Sequence, residues 1–268
     1  MTTTETYTSI ADLTVALDDG VLALTLNRPD SLNSLTAPMF HTMTNALNRA
    51  ADDPGVRVVR IGGAGRGFSS GAGIGASDNS GPDAGVPGDV LLSANRTIRT
   101  IVAHPKPVVS VVHGPAAGVG VSLAISADIV LASDTAYFLL AFTKIGLMPD
   151  GGASALVAAS VGRAKAMRMA LLAERLPATD ALEAGLVSAV HAADDLDAEV
   201  DKVLATLKSG PAVALRHTKH AINAATLTEL DAAMERETEG QMSLLHSHDL
   251  REGMRAFQER RPANFTDA

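Results

Sequence analysis

Three observations predict an α/β protein with a helical C-terminal extension. Over the first two thirds of the 268-residue chain, strand-like apolar runs alternate with helix-like runs. Two glycine-rich turns, Gly65-Arg-Gly-Phe-Ser-Ser-Gly-Ala-Gly-Ile-Gly75 and Gly114-Pro-Ala-Ala-Gly-Val-Gly120, each follow such a strand. The last third carries helix-length patterns alone.

The elements follow in order. Leu13 to Leu17 and Val21 to Leu26 alternate as strands and pair as a hairpin across Asp18-Asp-Gly20. Asn27-Arg-Pro-Asp30 ends the second strand in a turn. Thr36 caps a helix that has Pro38 near its start and runs to about Ala51, where Asp52-Asp-Pro-Gly55 stops it. Val56 to Ile61 is the strand that enters the first glycine turn. Residues 76–89 are turn-formers with almost no apolar content and predict a mobile loop. A helix over Val90 to Ala103 is broken by Pro105-Lys-Pro107. Val108 to Val112, apolar apart from Ser110, reads as a buried strand entering the second glycine turn. A short helix over Val121 to Ala127 and a strand over Ile129 to Ala132 come next. Gly146-Leu-Met-Pro-Asp-Gly-Gly152 feeds a helix over Ala153 to Ser160, and a second helix covers Ala164 to Ala173. Thr179 to Ala184 is a short helix closed by Gly185, and Leu186 to Val190 a strand. Four helices complete the chain: Leu196 to Lys208, Ala212 to Ala224, Glu229 to His246 and Asp249 to Arg260. The organisation is therefore a core over residues 1–195 and a helical region over 196–268.

Composition narrows the function. A net charge of −8 argues against a general nucleic-acid surface. Without cysteine there is no disulfide, thiolate nucleophile or Cys-based metal site. The N-terminus has no signal-peptide pattern, and no apolar run approaches membrane-spanning length, so a soluble cytoplasmic protein is expected.

The glycine turns admit several readings. Gly71-Ala-Gly-Ile-Gly-Ala76 fits a dinucleotide fingerprint, which requires a strand before it and a helix opening at it; a polar loop follows instead. Gly67-Phe-Ser-Ser-Gly71 fits a nucleophile elbow, which requires a strand running into Ser69 and a helix out of it. The third reading is a turn that aims a backbone N–H at a developing oxyanion, because glycine has no Cβ to block approach. The simplest is a loop that merely needs glycine.

Five segments lie in order along the chain: Asn27-Arg-Pro-Asp-Ser-Leu-Asn33, Gly67-Phe-Ser-Ser-Gly-Ala72, Pro107 to Gly120, Ala127-Asp-Ile-Val-Leu-Ala-Ser133 and Gly146 to Gly152. With the tail Ala256-Phe-Gln-Glu-Arg-Arg-Pro-Ala-Asn-Phe265, this order resembles the crotonase superfamily, the enoyl-CoA hydratase/isomerase family. The resemblance covers residues 10 to 266. It implies a ββα spiral core, a C-terminal helical trimerisation region, a homotrimer or dimer of trimers, and acyl-CoA thioester substrates. Coenzyme A would enter as part of the substrate, with no metal or redox cofactor. By motif position, the oxyanion hole falls on the N–H groups of Ala72 and Val119. Arg28, Ser70, Phe257 and Arg260 match positions expected to contact coenzyme A.

The family's two hydratase glutamates would fall at Ser122 and Phe142, and neither is acidic. Asp150 remains, in a place where some isomerases of the family carry a single acid. A double-bond shift needs only one such group, and burial would raise its pKa toward a useful range. The competing role for Asp150 is N-cap of the helix starting near Ala153. His246 and His248, and His217 and His220, lack a nearby third ligand and are expected at the surface. His113 and Asp128 are expected to be structural. Acyl-CoA isomerisation leads; a hydratase or other lyase, and a non-catalytic acyl-CoA binder, are the alternatives.

Overall fold

The computed structural model describes residues 7–73 and 88–267. The predicted mobile loop lies outside these residues, apart from Gly88 and Asp89, which open a helix.

The main sheet has six strands: β1 (Leu13–Asp18), β2 (Val21–Leu26), β3 (Val58–Gly63), β4 (Val108–Val112), and, after a short β5 (Pro115–Ala117), β6 (Ile129–Ser133) and β9 (Ala189–His191). β1 and β2 form the expected antiparallel hairpin, and every later neighbour pairs in parallel. Parallel strands need crossovers, which α1 (Ala37–Asp52), α2 (Asp89–Ala103) and α3 (Val119–Ile125) provide. Side chains alternate across β4: Val108 and Val112 join the main core, whereas Val109 and Val111 meet Leu196, Val200 and Leu204 of α6 (Leu196–Ser209). The sheet is thus covered on both faces, as its parallel strands require.

The sequence reading missed a second sheet. β5, β7 (Tyr137–Leu139) and β8 (Leu176–Pro177) form it in that order. These strands are two or three residues long, too short for an alternation to register. Their value is positional, since β5 is the strand that fastens the first glycine turn.

Several boundaries shift. α1 starts after Thr36, but the Thr36 hydroxyl caps nothing. The strand predicted from Val56 starts at Val58, and the one predicted from Leu186 is only β9. The helices predicted over 153–160 and 164–173 are one run, α4 (Ala153–Leu171), broken at Gly162, whose φ of 74° is non-helical. α5 (Ala178–Glu183), α7 (Ala212–Thr226), α8 (Leu230–Leu244) and α9 (His248–Glu259) lie close to their predicted places. α3 begins two residues earlier than predicted, at Val119, which matters for the site.

The last four helices are bound to the core unevenly. α8 buries Leu230, Ala233 and Met234 against it. α7 buries none of its residues fully and docks through polar anchors at the end of α2. The Lys219 ammonium donates to Ile101 O at 3.0 Å and pairs with Asp128 at 2.9 Å; Asn223 Nδ2 donates to Val102 O at 3.0 Å. A cation at a helix C-terminus also suits the helix dipole. No helix among the described residues is long and apolar enough to cross a membrane.

Candidate active site

Asn33 builds the base of the first glycine turn. It is fully buried with a φ of 56°, a left-handed conformation that Asn tolerates better than most residues. Its Nδ2 donates to Ala64 O and Gly67 O at 2.9 and 2.8 Å, and its Oδ1 accepts from Arg28 N–H. Ser69, also fully buried, donates its hydroxyl to Asn33 O and accepts from Gly71 N–H. A serine so enclosed, several residues beyond the end of β3, is no nucleophile elbow.

Two isolated parallel bridges lace the turn in place, Ser69 to Ala116 in β5 and Leu35 to Ala72. In the second, Leu35 N–H donates to Gly71 O and Gly73 N–H donates to Leu35 O. Both bonds are made by the residues flanking Ala72, so the Ala72 N–H faces away from Leu35. Val119 is the first residue of α3, where a backbone N–H has no acceptor within the helix. The early start of α3 leaves the Val119 N–H outside the helix ladder, and the bridge to Leu35 leaves the Ala72 N–H turned away from its partner strand.

The two turns touch. Gly71 has a φ of 92°, and a Cβ there would lie 2.8 Å from Ala117 O and 3.4 Å from Gly118 Cα. Glycine is required for both reasons: the backbone conformation and the approach of the second turn. The Phe142 ring, itself buried, lies 3.9 Å from where a Gly118 Cβ would sit. An apolar ring thus occupies the surroundings of the second turn, where it can hold no water.

Asp150 comes to the same place by another route. The Ser122 hydroxyl donates to Asp150 O at 2.8 Å, and a Cβ on Gly151 would lie 3.0 Å from Val119 Cγ2. Residue 122 thus secures the acidic loop rather than supplying an acid. Asp150 is half-buried as a residue, but its carboxyl oxygens are held inside: Oδ2 accepts from Gln241 Nε2 at 2.8 Å, and Oδ1 is buried with no partner. Burial pushes its pKa up to about 7; the Gln241 hydrogen bond opposes this, and the negative charge of Glu237 adds to it.

Asp150 is not the helix cap. No side chain caps α4 through Gly152, its N-cap residue; Glu237 of α8 reaches across instead. Its carboxylate accepts from Gly152 N–H and Ser154 N–H, each at 2.7 Å, and from the Ser154 hydroxyl. Burial raises the Glu237 pKa, and these bonds hold it down. Sequence reading missed Glu237 and Gln241. The available signal was their spacing, since Leu230, Met234, Glu237 and Gln241 form one inward stripe on α8, where polar residues need a partner.

The expected coenzyme A contacts divide into two groups. Arg28 and Ser70 share one turn cluster: Arg28 donates to Ser34 and pairs with Asp12, and Ser70 donates its hydroxyl to Ser31 O. Phe257 and Arg260 lie at the exposed end of α9, with Arg260 its left-handed cap. α9 packs on residues 142–145, and a Cβ at Gly253 would collide with Ile145. The histidines of both tail pairs are exposed. His248 does lie near carboxylates, those of Asp249 and Asp267, but these already accept from backbone N–H groups. His113 donates its Nε2–H to Gly65 O, and Asp128 accepts from Val108 N–H, both structural as expected.

A family model described as enoyl-CoA hydratase/isomerase matches residues 16–268. The chain is 62% identical to the protein in a crystal structure of an enoyl-CoA hydratase from Mycobacterium avium subsp. paratuberculosis, with a TM-score of 0.90 and coverage of 97% of this chain and 100% of that one. It is 37% identical to a Rhodobacter capsulatus protein named probable enoyl-CoA hydratase, and 36% identical to the 1,2-epoxyphenylacetyl-CoA isomerase of Escherichia coli. Each of those alignments covers 93% of this chain and 96% of the relative.

Proposed function

Because the chain belongs to the enoyl-CoA hydratase/isomerase family, we propose that it is an acyl-CoA isomerase that moves a double bond through an enolate. The ionised Asp150 removes a proton from C2 of a 3-enoyl-CoA. The electron pair moves onto the thioester oxygen, which the N–H groups of Ala72 and Val119 hold. As the enolate collapses, the double bond shifts to C2–C3, and C4 takes the proton from Asp150. Two preorganised donors stabilise the developing charge without reorganising. The base returns unchanged, and no other cofactor takes part.

The observation that carries this reading is the state of the acids. Ser122 and Phe142 stand where a hydratase of this family would place carboxylates, and Asp150 keeps an unpartnered buried oxygen beside α3. Its raised pKa suits a group that must both take and give a proton near neutral pH. Arg28, Ser70, Phe257 and Arg260 are proposed to contact coenzyme A. The exposed Val213 and Ile222 of α7, which buries no residue in one chain, favour a homotrimer or dimer of trimers.

The test is turnover of trans-3-hexenoyl-CoA by the wild type and Asp150→Asn. A loss of about 10²- to 10⁴-fold is expected from removing a general base; equal rates would end the assignment. A second reading, hydration, is favoured by the likeness to the 62%-identical Mycobacterium avium protein, which is named an enoyl-CoA hydratase. Faster hydration of crotonyl-CoA than isomerisation of the 3-enoyl thioester would select it.

A further inference from the structure

α8 belongs to the helical region after residue 195, yet it grips the Asp150 loop from both sides. Gln241 is almost fully buried and uses its whole amide. Its Oε1 accepts from Met148 N–H at 3.2 Å, while Nε2 donates to Met148 O at 2.9 Å and to Asp150 Oδ2 at 2.8 Å. One turn earlier, Glu237 takes the N–H groups of Gly152 and Ser154. Positions 148, 150, 152 and 154 are therefore each bonded to one of two side chains on a single helix. Gly240 lies between them, and the Met148 side chain packs where a Cβ there would sit.

This grip does more than hold the fold. One carboxyl oxygen of Asp150 is engaged and the other is left bare. A buried acceptor without a partner is unfavourable, whereas the polar atoms of Gln241 and Glu237 that hold the loop are all bonded. Such an atom, kept unsatisfied beside the two touching glycine turns, is where a substrate proton would be handled. Nothing in the loop itself selects which oxygen is free; Gln241 does.

We propose that Gln241 and Glu237 are positioning residues for the reaction: Gln241 fixes Oδ2 of Asp150 so that Oδ1 handles the proton, and Glu237 anchors the loop while setting the charge around it. The inference rests on the isomerase reading above. The two residues act in opposite directions. Gln241 stabilises the ionised Asp150 by hydrogen bonding, whereas Glu237, the charged group that acts on Asp150 among the described residues, opposes ionisation.

The experiment measures kcat and KM for trans-3-hexenoyl-CoA across pH in wild type, Gln241→Met, Glu237→Gln and Asp150→Asn, with a thermal melt of each. Gln241→Met is expected to lower kcat by roughly 10- to 100-fold with little change in KM, as misplacement of a catalytic group does. Its acid limb should move to higher pH. The acid limb of Glu237→Gln should move to lower pH. A merely structural pair would lower the melting temperature and leave both limbs in place, and that result overturns the proposal. Should Gln241→Met not fold, the Glu237→Gln profile decides alone, and an unmoved limb is again contrary. Full activity in Asp150→Asn would overturn the isomerase reading itself. Inactive Asp150→Asn with unmoved limbs in the other two would overturn only the role given to α8.

Discussion

Asp150 is a residue whose environment works against its usual charge. Its carboxyl pKa is raised from 3.8 to about 7, chiefly by burial. An acid raised in the folded state binds more protons folded than unfolded across that interval. Stability is therefore fully present below about pH 4 and lost as pH rises toward 7. Asp150→Asn should accordingly melt higher than wild type at pH 8, by an amount on the order of a few kcal/mol, with the difference vanishing near pH 4. Calorimetry at the two pH values checks this, and an unchanged difference would mean that the carboxyl is not strained. Gly71→Ala tests the turn: its positive φ and the 2.8 Å approach to Ala117 O predict a loss of roughly 1–3 kcal/mol and weaker thioester binding, measured by urea unfolding and calorimetric titration. Asp150 and Gly71 were legible in the sequence through motif order. Gln241 and Glu237 were not, because their roles depend on a helix more than 80 residues away folding back onto the loop.

Single elements are held by a few polar contacts whose loss should be measurable. Lys219 fastens α7 to the end of α2, with its side chain only 8% exposed, and its partner Asp128 is raised in pKa by burial. Lys219→Met leaves that carboxylate without its cation, so a loss of about 3–5 kcal/mol is expected in urea unfolding. Adding Asp128→Asn should recover part of it. An unchanged midpoint in the single variant would show that α7 docks by other means. At this scale the sequence was informative where apolar periodicity is strong. The hairpin, β4 and the helices of the last third were all read close to their observed bounds, since one side of each must face a core. It failed at β5, β7 and β8, which are ordered by neighbours rather than by their own pattern. It also put the start of α3 two residues late, because Gly118 and Gly120 hide the first turn of the helix.

Across the whole molecule, the proposed chemistry depends on three distant segments meeting: the turn at Gly71, the turn at Gly118 and the Asp150 loop held from α8. In that chemistry the core and the helical region after residue 195 would act as one unit. A single chain also leaves Val213 and Ile222 of α7 in solvent. Light scattering should accordingly report a trimer or hexamer mass, and a monomer at micromolar concentration would contradict the oligomer proposed. The family could be read from the sequence because its motifs lie in register along the chain, whereas the way Asp150 is aimed could not, since it is fixed by Gln241 rather than by any local motif. The most direct measurement is a crystal structure of the wild type with a bound acyl-CoA. The account predicts the thioester oxygen within about 3 Å of both the Ala72 and Val119 nitrogens, and Asp150 Oδ1 within about 3–4 Å of C2. A thioester oxygen bound elsewhere, or an Oδ1 turned away from C2, would contradict it.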